Sequence, residues 1–454
     1  MQAEPAQRVG PILTGGEEPW EVNGIWVNTL MYDEGKYRLW GVGQHGKPWD
    51  EQDEKANRMA CYLESDDLKT WRRPSLGLVE FDGSRDNNLI DMGIHGTVFK
   101  DPIAPPEERY KSMWVWQYDR ALFEKIKDRR SWSKAAVPSH GKFVYAIMAA
   151  VSPDGLRWTT LPEPIGIEVS DTHNICYYDQ TLGKYVLYTR TREWNTTAKG
   201  HTRIPGKDMG RRAIGRTESK DFRSFPASQT ILEPANDMAP SDTLYTNGYS
   251  SVPGAPDHHL MFPTVWHQAT DTSSFDLYTS HDGKLWSRAP GSPVFKTAEF
   301  GQWDGGSVFN APYLFETANG DWAMPYTGYI YPHKYPRGAW KYAVGLTVWP
   351  KGRLMALVAD EKGEFATAIV LAPGKTLRIN AVTARAGSIL IEATDETGRA
   401  IAGRSFNEAL PVIGDHHWTQ VKWSGHDDLG VETGKPVGFR FRLERAKIYG
   451  LEFQ

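Results

Sequence analysis

Short apolar runs of five to seven residues, many of them alternating with polar positions, recur along the first 350 residues and read as β-strands rather than helices. Between them stand polar turns that open the next strand with a basic-aromatic pair: Asp33-Glu34-Gly35-Lys36-Tyr37, Glu107-Glu108-Arg109-Tyr110, and Asp179-Gln180-Thr181-Leu182-Gly183-Lys184-Tyr185. Pro253-Gly254-Ala255-Pro256-Asp257 and Ala318-Asn319-Gly320-Asp321 occupy the same place further on. A second turn repeats as Ser-x-Asp-x-x-x-aromatic: Ser65 to Trp71, Ser152 to Trp158, Ser219 to Phe225 and Ser280 to Trp286. Asp bonds to nearby backbone and Gly tolerates positive φ, so the pattern predicts a tight turn whose aromatic residue fills the gap to a neighbouring sheet.

Repeats of this length, each rich in short strands, predict an all-β fold: a five-bladed β-propeller followed by a C-terminal β-sandwich. The blades fall near 20–75, 93–165, 170–228, 242–292 and 304–352. The fifth lacks the serine turn, with Trp349-Pro350-Lys351-Gly352 near its place, as in a degenerate closing blade. The charged stretch from about 120 to 140 reads as a long surface loop. The expected division is 1–352 for a catalytic propeller and 353–454 for the sandwich. The latter's strands are 377–381, 388–393, 418–423, 439–443 and 448–453.

Composition narrows the function classes. The chain has 454 residues, a net charge of −4 and no basic stripe, which argues against a nucleic-acid partner. No run of 18 apolar residues is present, so no span of a membrane is expected. Cys61 and Cys176 are too few for a disulfide framework. With 18 Trp and 20 Tyr, aromatic rings are unusually many; most read as packing in a β-rich core, and others as platforms for sugar rings. Met1 to Ala6 lacks an apolar segment. That is compatible with a cytoplasmic start or with an initiator Met ahead of a mature secreted chain; the expected location is secreted or periplasmic.

The repeats with their turn motifs, followed by a sandwich, resemble the five-bladed propeller glycoside hydrolases of families 32, 43 and 68, closest in layout to family 32. Asn-Asp-Pro-Asn-Gly, Arg-Asp-Pro and Glu-Cys, which family 32 carries, are absent; Arg85-Asp86-Asn87-Asn88 is only similar to the second. The resemblance implies a fold and a glycan-acting enzyme, and leaves fructan chemistry aside.

In a propeller the entry ends of the innermost strands line a central funnel. Those positions hold Glu21, Asp171, Asp242 and Asp304, with Asp91 and His95 in the second repeat. Glycoside hydrolysis needs two carboxyl groups, one acid and one base or nucleophile. The expected catalytic set is therefore Asp171 and Asp242, assisted by Asp304 and Glu21, with mutual repulsion keeping one of them protonated. Arg190, Arg192 and Arg212 predict bidentate binding of an anionic sugar, and His95, His173, Tyr245, Trp266 and His333 complete the substrate-binding set. No cofactor is required; the acidic ring is compatible with a structural Ca²⁺. His258-His259 has no third ligand at metal spacing. The expected partner is an oligo- or polysaccharide. Two other readings stand beside hydrolysis. A phosphorylase would need one carboxylate and would hold phosphate on the arginines; a non-catalytic propeller would only bind glycan.

Overall fold

The computed structural model describes residues 1–45, 58–138, 140–192, 210–334 and 341–454. These residues are nearly all strand, turn and loop, with one short helix and a few single helical turns among them. It divides into two compact units, Ala6–Arg288 with Ser292–Val348, and Met1–Pro5 with Ala289–Gly291 and Trp349–Gln454.

The larger unit is a succession of antiparallel meanders. The first sheet is Ile25–Asp33, Lys36–Gln44 and Arg58–Ser65; the second is Thr97–Lys100, Tyr110–Asp119, Phe143–Ser152 and Thr159–Thr160. The third is Ile175–Asp179, Lys184–Arg192, Arg212–Ser219 and Gln229–Leu232. Each predicted turn sits between the strands assigned to it. Glu34 and Gly35, at φ 52° and 81°, form the two-residue hairpin closing Asp33 on Lys36.

The serine turns share one chemistry. Ser152 Oγ accepts from Gly155 N at 2.9 Å, while Asp154 Oδ1 accepts from Leu156 N and Arg157 N, both at 2.8 Å. Ser65 with Asp67 and Ser280 with Asp282 repeat these bonds. The aromatic residue then packs where two sheets meet. Trp158 lies against Trp40 and Tyr62 of the first sheet and Val98 and Tyr110 of the second; Trp286 lies against Tyr188 of the third sheet and Tyr249 of the fourth repeat.

In the fourth repeat every strand is interrupted midway, giving two four-stranded sheets where one is expected. One contains Asp242–Thr246, Thr264–His267, Thr272–Phe275 and Phe295–Lys296. The other contains Tyr249–Val252, Ala255–Met261, Tyr278–Ser280 and Ser287–Arg288. Gly248 stands at the break with φ 56°, and a Cβ there would meet Asn310 Nδ2 at 2.1 Å and Phe262 O at 2.4 Å.

The last sheet corrects the sequence reading. Ser307–Asn310, Trp322–Tyr329 and Tyr342–Trp349 are joined by the N-terminal strand Gln7–Leu13, which pairs with Tyr342–Trp349 through Gln7↔Val348, Arg8↔Thr347 and Val9↔Leu346. The residues preceding the first repeat thus complete the final sheet, which was expected to lie wholly within 304–352. Leu13 then joins a cluster linking Val27, Leu39 and Leu63 of the first sheet to Ala323, Val344 and Leu346 of the last. Each Val or Leu side chain among these stabilises by about 1.5–3 kcal/mol when fully buried. The stretch near 120–140 is also more than a loop. Arg120–Ile126 is a helix capped by Asp119, whose Oδ1 accepts from Leu122 N at 3.1 Å, and it buries Phe123 and Ile126 beside Val144 and Ile167.

The smaller unit is one six-stranded antiparallel sheet around a single apolar core. Segments 377–381 and 388–393, expected as separate strands, are halves of the continuous Leu377–Thr394. Likewise 439–443 and 448–453 belong to Pro436–Phe453. Both strands change register between Thr383 and Ser388, so Ile379 and Ile391 reach the same core. Met355–Ala366 is a strand that the pattern missed.

Replacing Gly248 with Ala is expected to cost roughly 1–3 kcal/mol in urea unfolding, because both backbone strain and overlap must be relieved. Gly254→Ala, at φ 84° with no atom within 4 Å of its Cβ, carries strain only and should cost less. Equal losses would contradict the packing described.

Candidate functional site

The loop before Ile175 presents Asp171. Ser170 Oγ donates to Asn174 Oδ1 at 2.5 Å, Asn174 Nδ2 returns a bond to Ser170 O at 3.2 Å, and Thr172 N donates to Ser170 O at 2.9 Å. This three-residue turn pushes the Asp171 side chain outward, leaving 81% of it exposed. Yet protein surrounds it. Arg190 Nη1, on the adjacent strand, lies 3.8 Å from Asp171 Oδ2, and Arg190 Nη2 donates to Tyr245 O at 2.8 Å. Burial among these groups pushes the Asp171 carboxyl up. The cations around it, Arg190 foremost, with Arg212 and Lys334, outweigh that, so it settles below the usual carboxylate range and is ionised. An open, ionised carboxylate ringed by cations has the chemistry of a base or nucleophile.

Aromatic rings and neutral imidazoles wall the same end. Trp26 Nε1 donates to His173 Nε2 at 3.0 Å, and the Trp26 ring lies 5.8 Å from His95 and 5.7 Å from Phe309. Tyr245 Oη and His333 Nε2 are 3.0 Å apart, and Trp266 lies 5.4 Å from the His333 ring. The imidazoles are held neutral. Burial first, then the neighbouring cations, push His95 down to about 3 and His333 to about 2. Burial likewise takes His173 to about 4, with a backbone hydrogen bond to Asn310 opposing and Arg190 adding to the fall. His95 sits at φ 62° and accepts from Arg58 Nη1 at 3.0 Å. A non-glycine residue in that region costs of order 1 kcal/mol or more and tends to occur where function demands it.

Structure and expectation part over the other carboxylates. Glu21 is shut off from solvent, gripped by Arg73 through Nε–Oε1 and Nη2–Oε2 contacts of 2.8 Å each. Asp304 is equally sealed, paired with Arg8 and accepting from Tyr326 Oη at 2.8 Å. Neither opens toward Asp171, and the expected ring of four carboxylates is not assembled. Both are buried ion pairs that position strand starts. Asp242 is 11% exposed; its Oδ1 lies 3.1 Å from His267 Nδ1, and His267 Nε2 lies 3.0 Å from Ser274 Oγ. Arg192 ends its strand, with its carbonyl accepting from Thr230 Oγ1 at 3.3 Å, and Asp91 is exposed. Arg212 lies over the Tyr245 and Trp266 rings at 5.0 and 5.4 Å. Of the expected set, then, Asp171, His95, His173, Arg190, Arg212, Tyr245, Trp266 and His333 come together.

Trp26, Arg58 and Lys334 also belong to this group and went unnoticed. A Trp as the second residue of the first inner strand was the available signal for Trp26; Arg58 and Lys334 had none. Among the described residues no cluster of three or more His, Cys, Asp or Glu has a metal-binding arrangement. Cys61 and Cys176 are buried free thiols, pushed up by burial. A cavity of about 1030 Å³ lies toward the other end of the inner strands, lined by Tyr177, Asp179, Tyr249, His258, His281 and Phe315 among others. No residue of the expected set lines it.

No family model and no curated protein sequence matches the chain. It is similar to solved structures at low identity. An N-acetylgalactosamine deacetylase from F. plautii, in complex with blood group B trisaccharide, has 11% identity and TM-score 0.46, covering 77% of this chain and 95% of that one. An α-L-arabinofuranosidase from Podospora anserina, in complex with cellotriose, gives 10% and 0.46 over 77% and 98%. A family 43 arabinoxylan arabinofuranohydrolase from Bacillus subtilis, in complex with cellotetraose, gives 9% and 0.43 over 98% and 99%.

Arg73→Met would leave the Glu21 carboxylate buried without its partner. It is expected to destabilise by roughly 3–5 kcal/mol while turnover per folded molecule stays unchanged; lost turnover with intact stability would return Glu21 to the chemistry. Glu168 supplies a pH test. It is buried, its Oε1 accepts from Ser228 Oγ at 2.8 Å, and burial pushes it from its ordinary 4.5 up to about 7 against that bond. A raised folded value means that this contribution is complete below about 4.5 and is lost as pH rises through about 7. At about 1.4 kcal/mol per pH unit the loss is roughly 3 kcal/mol. Urea midpoints of Glu168→Gln should lack this decline; curves parallel to wild type would contradict it.

Proposed function

We propose that the chain is a glycan-cleaving enzyme, an O-glycosyl hydrolase built as a five-bladed propeller with a C-terminal sandwich, reacting where Asp171 stands. The observation that carries the reading is Asp171 itself. A carboxylate that is 81% exposed, ionised and ringed by Arg190, Arg212, Lys334 and His95 is not closing a salt bridge that the fold depends on. Beside it, Trp26, Tyr245 and Trp266 offer flat faces for sugar rings. In this reading Asp171 is the base or nucleophile. Asp242 is the second carboxyl because it alone of the other three keeps any contact with solvent. The enzyme needs no cofactor, takes an oligo- or polysaccharide, and works outside the cytoplasm, secreted or periplasmic.

Phosphorolysis is the second reading. It is favoured by the presence of only one open carboxylate among the four expected, next to arginines able to hold phosphate.

The test is turnover of a panel of aryl glycosides and oligosaccharides, neutral and anionic, with and without phosphate. Cleavage is expected, falling about 10²–10⁴-fold in Asp171→Asn and Asp242→Asn with unfolding midpoints unchanged. Activity that appears only with phosphate selects phosphorolysis. Glycan binding without cleavage, unaffected by Asp171→Asn, overturns both readings.

A further inference from the structure

Positive charge exceeds negative at the Asp171 end. Arg58, Arg190, Arg212 and Lys334 stand there with one open carboxylate. The nearby Asp271 is occupied, accepting from Trp266 Nε1 at 2.8 Å and from the Lys334 backbone N at 2.6 Å.

Among the described residues, Arg212 has no close counter-ion: its side chain makes no hydrogen bond or close ion pair, and its Nε is buried with no partner. It rests over Tyr245 and Trp266, while Arg190 lies 4.4 Å from the centre of the same Tyr245 ring. Arg190 is itself 5% exposed, and its Nε is also buried without a partner. Burial, then repulsion from Arg190, holds Arg212 down to about 10. Two guanidiniums on one ring, each with a buried Nε donor unused, carry desolvation and mutual repulsion. Cation–π contact offsets only part of that. An oxyanion bound between them satisfies the idle donors and removes the repulsion, and guanidinium forks match carboxylate, sulfate and phosphate.

We propose that Arg190 and Arg212 bind one oxyanion: a carboxylate or sulfate borne by the sugar set against Asp171, or a phosphate ion in that place. The sugar-borne form rests on the glycan reading given above; the anion site stands without it. An anion seated here also draws the cations' field away from Asp171, coupling occupancy of the site to the protonation of the open carboxylate.

Isothermal titration of the full chain with D-glucuronate, glucose 6-sulfate, glucose and inorganic phosphate tests this without requiring turnover. The anions are expected to bind at least tenfold tighter than glucose. Arg212→Met should lose at least tenfold and Arg212→Lys should keep part of the affinity. Lys284→Met, which removes a cation lining the distant cavity, should match wild type. Tighter binding of the charged sugars than of phosphate assigns the anion to the substrate; the reverse assigns it to a free phosphate ion. Arg212→Met should also unfold at or above the wild-type midpoint, since it removes an uncompensated buried charge, whereas an arginine serving the fold would lower it. Glucose binding as well as glucuronate, absence of binding by every anion, or unchanged anion affinity in Arg212→Met overturns the proposal. Neutral glycan cleavage without anion binding would overturn it while leaving the hydrolase reading intact.

Discussion

Pairing of Gln7–Leu13 with Tyr342–Trp349 is the constraint on which the larger unit depends. Each meander buries only part of its apolar surface alone; the rest is covered by the next meander, and the first and last must cover one another. The N-terminal strand supplies the final hydrogen-bond ladder, and Leu13 enters the cluster shared by the first and last sheets. Arg8 on that strand also reaches Asp304, a carboxylate that would otherwise be buried without a counter-charge. Closure thereby fixes the strand starts from which Trp26, Asp171, Tyr245 and Phe309 approach one another.

What those starts assemble is defined by its charge balance. Several buried carboxylates elsewhere are matched by a cation: Glu21 by Arg73, Asp304 by Arg8, Asp276 by Arg288. Around Asp171 they are not. Cations crowd one carboxylate that keeps its solvent, and burial holds three imidazoles neutral. The fold bears this imbalance at one place, and the chemistry of that place, acceptor in the middle and donors around it, is suited to a ligand that brings negative charge and a flat ring.

The sequence made local chemistry legible. The serine turns could be read because Ser152, Asp154 and Gly155 close their own hydrogen bonds within a few residues. The hairpin at Glu34-Gly35 was readable for the same reason. Long-range pairing left no local trace. Glu21 looked available until Arg73 closed on it, and Asp304 until Arg8, nearly three hundred positions away, did so. The closing strand was hidden likewise, since nothing between Gln7 and Leu13 names its partner. In the smaller unit, 377–381 and 388–393 read as two strands, whereas one strand runs through both with a change of register between Thr383 and Ser388.

The most direct measurement is a crystal structure of the chain soaked with an oligosaccharide bearing a uronate or sulfate. The anionic group is expected within hydrogen-bonding distance of Arg190 and Arg212, with the anomeric carbon of the sugar facing Asp171 directly or across one water. A sugar seated instead among Tyr177, Tyr249 and His258 at the other cavity, with the Asp171 end empty, would contradict it.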